Sequence, residues 1–162
     1  MTIYQTSRVV LAGVLIGAVV LGVRWFSSVP EGLVSAQSAE YRETVRAFYR
    51  GVSSLEVGLL QDAQTFFSRA AELAPAEPAI RANLAVVHLG FGNRDEAASE
   101  LATARLLASD SSEIAFLEAQ LASFGGRFEE AVGHFRRAIK LDGDHLQARF
   151  ALAQELERVG DD

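Results

Sequence analysis

Histidine carries the readiest chemistry in this 162-residue chain, which has three, at positions 88, 134 and 145. A helical metal pair needs its ligands four residues apart on one face, and His134 and His145 are 11 apart on separate segments. His88 falls in a column of helix-packing positions. Cysteine is absent, which removes thiolate nucleophiles, disulfides and sulfur-ligated zinc. No serine occupies a nucleophile elbow, and Gly125-Gly126 reads as an interhelical turn, not a phosphate-cradling loop. Glu129-Glu130 and Arg136-Arg137 share one helical segment and read as solvated, paired charge. The expectation is a protein without catalysis, metal or cofactor. What remains is recognition by apolar and amide side chains.

Charge narrows the partner. Beyond residue 36 there are 13 Lys or Arg against 20 Asp or Glu, opposite in sign to a phosphate-backbone binder, so no nucleic-acid partner is expected. Length and 49% hydrophobic content are enough for one packed domain.

The elements that must position any binding surface begin with an apolar run. Val9 to Val23 contains no charge and extends to Phe26 if Arg24 snorkels. At 1.5 Å per residue this is roughly 23 to 27 Å of helix, close to a hydrocarbon core, with Tyr4 and Trp25 as interfacial anchors. A transmembrane helix over residues 9–26 is one reading; a cleaved signal segment ending near Val34-Ser35-Ala36 is the other. Either places the remainder on the outer side of a bacterial inner membrane, as a periplasmic or exported domain. Within the run, Gly13, Gly17 and Gly22 give a small-residue face for helix packing and self-association. Residues 1–8 form a tail and residues 27–37, with Pro30 and Gly32, a linker.

From residue 38 the chain repeats itself every 34 residues. Gly58, Gly92, Gly126 and Gly160 align, as do Ala63, Ala97 and Ala131, and Ala70, Ala104 and Ala138. A large apolar column, Phe67, Leu101 and Phe135, lies between the alanines, and a small one, Gly51, Ala85, Ala119 and Ala153, lies seven residues before each glycine. Such columns describe helix pairs: a small contact residue, a turn glycine, then an amphipathic second helix. First helices are expected near 39–57, 78–90, 112–124 and 145–159, and second helices near 61–73, 94–108 and 128–141. Pro78 suits a first turn, Asn93 with Glu96 a capping box, and Asp144 a cap for the last helix.

On these residues the chain resembles the tetratricopeptide repeat family. Ala63-x3-Phe67-x2-Ala70-x4-Pro75 and Ala131-x3-Phe135-x2-Ala138 keep the motif of the second helix, whereas the first helix departs from it. The favoured Trp column reads Ala47, Arg81, Ala115 and Arg149; the Leu column Arg50, Leu84, Glu118 and Leu152; the Tyr column Ser54, His88, Ala122 and Leu156. The resemblance implies an all-α solenoid over residues 38–162, with repeats near 44–77, 78–111 and 112–145 and a partial fourth at 146–162 acting as a capping helix, preceded by the hydrophobic helix.

It also implies a concave face lined by the first helices. The stripe at spacings of three and four is Val45, Phe48, Val52 and Leu55, then Ala79, Ala82, Val86 and Leu89 with Asn83 beside it. It continues through Glu113, Phe116, Gln120 and Ser123, with Phe124, to Gln147, Phe150, Gln154 and Glu157. An amphipathic or extended peptide is the expected occupant, as part of a membrane-tethered scaffold. Burial of the first repeat's stripe by the chain's own Leu33 to Tyr41 segment and pairing of two copies are the alternatives. Relatives that clamp C-terminal carboxylates use Lys, Asn and Arg here; of the matching Phe48, Val52, Asn83, Glu113 and Leu117 only Asn83 fits. Phe48-Tyr49-Arg50-Gly51 and Glu77-Pro78-Ala79 also resemble repeats preceding propeller-type domains in large exported bacterial proteins, which would make this chain the leading part of a longer one.

Overall fold

The computed structural model describes residues 38–160. The expected hydrophobic helix, its Gly13, Gly17 and Gly22 face and the linker lie outside them. No described helix is long and apolar enough to cross a membrane. Among the described residues there are seven helices and no strand: α1 Ala39–Glu56, α2 Leu60–Leu73, α3 Pro78–Phe91, α4 Arg94–Leu107, α5 Ser112–Phe124, α6 Phe128–Leu141 and α7 Leu146–Gly160.

Local chemistry sets these bounds. Ser38 and Ser111 cap α1 and α5, their hydroxyls accepting from the Tyr41 and Ile114 amides at 3.0 and 3.2 Å. Pro78 opens α3 behind Glu77, whose carboxylate accepts weakly from the Ala79 amide at 3.4 Å. The expected capping box is not made. Asn93 occupies the cap position of α4, but its side chain accepts no hydrogen bond there. Nor does Asp144 cap α7: its amide donates to Asp142 Oδ1, and His145 Nδ1 instead accepts from the Ala148 amide at 3.3 Å.

The turn glycines explain their column. Gly58, Gly92 and Gly126 have φ of 77°, 82° and 74°, where a side chain would collide with the backbone. Each lets the chain fold back, so that the next amide reaches a carbonyl five residues earlier: Leu59 to Ser54, Asn93 to His88, and Arg127 to Ala122, at 2.8 to 3.0 Å.

Each hairpin, α1–α2, α3–α4 and α5–α6, packs on the next, and α3 also touches both α1 and α5. The motif columns form the seams. All six alanines of the two Ala columns are fully buried, and Phe67, Leu101 and Phe135 lie between them. The apolar interior is in two pieces. One runs from α1 to α5 and takes Ile114, Leu117 and Leu121 from α5; the other takes Ala115, Phe116, Ala119 and Ala122 from the opposite side of α5 and continues through α6 to Ala148 of α7.

Candidate functional site

The first helices α1, α3, α5 and α7 carry the stripe singled out by its spacing, and burial divides it sharply. Phe48, Leu55, Asn83 and Val86 are at most 1% exposed, and Val52 and Phe116 are also buried. They are interior residues, not an open lining. The rings show why. Phe48 meets Phe67 of its own hairpin edge-on at 5.7 Å between centroids, and Phe116 sits 5.6 Å from Phe135 of its own hairpin and 5.0 Å from His145, just before α7. Helical spacing tells which residues share a face; the closing of other helices over that face is a tertiary event.

Asn83 is likewise withdrawn. Its Nδ2 donates to Ala79 O at 2.8 Å, inside its own helix, and its Oδ1 is buried without a partner. Val45, Leu89, Gln120 and Phe124 are half-buried, and Leu89 and Phe124 lie against the rim of the first apolar cluster. Phe150 on α7 is 68% exposed. The accessible remainder of the stripe is thus concentrated toward α5 and α7.

There the polar groups are under-supplied with donors. Gln120 Oε1 is buried and unpartnered. Glu155, 5% exposed, accepts from Ser123 Oγ at 2.6 Å and from Arg158 at 3.3 Å through Oε1, while its Oε2 has no partner. Gln120 and Ser123 are one turn apart on α5, so both orphan acceptors belong to the α5–α7 seam. Glu155 was not singled out by sequence reasoning; its neighbours in α7 are polar too, and only the tertiary contact with Ser123 sets it apart.

A second cluster replaces the expected solvated pairing of Arg137. Glu118 of α5, at the Leu column, accepts from Arg137 of α6 at 3.3 Å and lies 3.5 Å from Arg105 of α4 and from His134 Nδ1. Arg137 also donates to Ser109 O at 2.6 Å. The carboxylate joins three helices and has no reacting group facing it. Arg81 and Glu100 also pair across their hairpin at a separation of 19 residues, but at other repeat positions and with the charges exchanged. No group of three or more His, Cys, Asp or Glu among the described residues is placed to hold a metal.

On the α1–α2 edge, a hollow of about 500 Å³ is lined by Arg42, Glu43, Arg46, Arg50, Phe66 and Arg69, among others. Hydrogen bonds that it donates to Glu43, at 2.6 Å, and to Glu72 hold the Arg69 guanidinium above its ordinary pKa. Arg50 lies over the Phe66 ring, 4.3 Å from its centroid.

Comparison with known proteins agrees with this geometry. A family model described as tetratricopeptide repeat matches residues 54–121. No curated protein matches the sequence. The fold is similar to that of the TPR domain of Arabidopsis OM64, at 18% identity and a TM-score of 0.69, with 74% of this chain and 99% of that one covered. It is similar also to the second TPR domain of human RPAP3, determined in complex with an HSP70 peptide, at 21% identity and a TM-score of 0.64, covering 72% and 98%. An O-GlcNAc transferase from Thermobaculum terrenum aligns at 18% identity and a TM-score of 0.70, over 74% of this chain and 23% of that enzyme. The repeat match covers residues 54–121, and the solved structures share the fold.

Proposed function

We propose that this tetratricopeptide-repeat chain is a non-catalytic scaffold, tethered to a membrane by its N-terminal apolar run, that holds a peptide or protein segment at the α5–α7 end of its first-helix face. The observation that carries the reading is an exposed aromatic side chain at that end of the stack: Phe150 stands in solvent, 68% exposed. A peptide supplies what the ring needs, an apolar side chain to cover it. That the RPAP3 domain was determined with a bound peptide supports the same use of the fold.

The test is site-specific crosslinking of the full chain in its native membrane, with a photoreactive amino acid in place of Gln154, an exposed residue one turn beyond Phe150. A discrete adduct lost on Phe150→Asp, with helical circular dichroism unchanged, supports the groove. An adduct indifferent to Phe150→Asp rejects it.

A second reading has its own observation. Leu146, Phe150 and Ala153 are exposed along one line of α7, an apolar ridge turned away from Ala148. Two copies joined there would make a homo-oligomer, and an adduct between two copies of this chain favours that reading.

A further inference from the structure

The edge made by α1 and α2 is where a preceding hairpin would stack, and its residues break the repeat in a single direction. Ile80 of α3 and Ile114 of α5 are buried at this place in their hairpins, and 34 residues before Ile80 stands Arg46. Leu84 is answered in the same way by Arg50, and Val87 by Ser53. Arg42, Arg46 and Arg50 follow one another at intervals of four, forming one exposed stripe of α1. Arg69 is already satisfied by Glu43 and Glu72, but Arg42 and Arg46 make no ion pair with any described carboxylate, and Arg50 rests on an uncharged ring. A polar outer face is what a terminal repeat needs for solubility, yet solubility has no preference for cations. In a chain of net charge −6, a stripe of three arginines facing a hollow of about 500 Å³ is local and one-sided.

The sequence places this edge beside the apolar run. Phe26, at the end of that run, precedes Arg42 by 16 residues, which even fully extended reach only about 55 Å. We propose that the α1–α2 edge docks on an anionic phospholipid surface, with the guanidinium groups of Arg42, Arg46 and Arg50 pairing with headgroup phosphates. This rests on the tether reading above for its proximity, but on the arginine stripe for its chemistry. Arginine forks match phosphate oxygens, and each basic side chain near such a surface strengthens association about fivefold. Docking by this edge turns α7, at the far end of the stack, away from the bilayer.

The absence of cysteine makes the test direct. A fluorophore on Ser53→Cys, exposed on the same edge, reports approach to quencher-bearing headgroups when the full chain is mixed with vesicles of phosphatidylcholine alone or with added phosphatidylglycerol. Quenching is expected only with phosphatidylglycerol, falling as salt is raised, with affinity about tenfold or more lower in Arg42→Gln/Arg46→Gln and restored in Arg42→Lys/Arg46→Lys. Equal quenching in both vesicle types, or an unaffected glutamine variant, overturns the proposal. Relief by inorganic phosphate beyond that by chloride at matched ionic strength also overturns it, in favour of a soluble phosphate ligand. Flotation with neutral vesicles reads the tether separately. A chain that floats there but is never quenched keeps the tether and loses the docking; one quenched on anionic vesicles without floating on neutral ones does the reverse.

Discussion

Gly51 of α1 lies so close to the ring of Phe67 in α2 that a Cβ at position 51 would stand 2.7 Å from Cε1. The first hairpin closes on this contact, whereas the second uses Ala85 with the smaller Leu101. Gly51→Ala gains about 1 kcal/mol of helix propensity but must displace a ring that is fully buried. Overpacking of this kind costs roughly 1–3 kcal/mol, so a net loss of about 1 kcal/mol is expected in urea unfolding followed by circular dichroism. The double variant Gly51→Ala/Phe67→Leu, copying the second hairpin, should recover most of it.

Gly133 is the opposite case. It lies inside α6, exposed, with no atom within 4 Å of where a Cβ would stand. Gly133→Ala should stabilise the fold by about 0.5–1 kcal/mol, read as a higher urea midpoint with an unchanged slope.

Glu118 holds α4, α5 and α6 together through Arg105, Arg137 and His134, with only 11% of its side chain exposed. Removing the carboxylate takes away the acidic partner that Arg105 and Arg137 share. Glu118→Ala is expected to cost roughly 1–3 kcal/mol, whereas Glu129→Ala, at an exposed site in the first turn of α6, should stay within about 0.5 kcal/mol. Thermal melts of the two variants compare the effects directly.

Burial raises the Glu77 carboxyl above its ordinary value of 4.5, and the hydrogen bond from the Ala79 amide pulls it only partly back. The fold therefore holds this proton more tightly than the unfolded chain does. Its stabilising contribution is complete below about pH 4.5 and is lost as pH rises through the folded value. Glu77→Gln, which keeps an oxygen for the cap, should gain stability over the parent at neutral pH and lose that advantage at about pH 4 in urea titrations. A variant that gains equally at both pH values would refute this assignment.

Much of the architecture was legible because it repeats. The glycines at 58, 92 and 126 mark turns whose left-handed backbone nearly excludes other residues, and the alanines at 63, 97 and 131 mark contacts too close for anything larger. Helix ends followed within a residue or two. The caps did not. Asn93 has the right residue type, but its side chain turns elsewhere, and His145 outcompeted Asp144 for the start of α7. The candidate site was legible only in part: periodicity grouped Phe48, Val86 and Phe116 with Phe150, and nothing in a one-dimensional pattern tells that tertiary packing buries the first three and leaves the fourth bare. Glu118 was missed because a charge in an apolar column reads as a departure until Arg105, Arg137 and His134 converge on it.

The divided interior bears on how the molecule comes apart. Because α5 gives one side to each apolar cluster, α6 and α7 can peel off while α1 to α5 keep their own cluster whole. Loss of order should begin at that last seam, with amide hydrogens of α6 and α7 trading for deuterium well ahead of those in α3. The end proposed to grip a partner is then also the one most easily loosened, and a bound segment spanning α5 and α7 would act as a rivet across it.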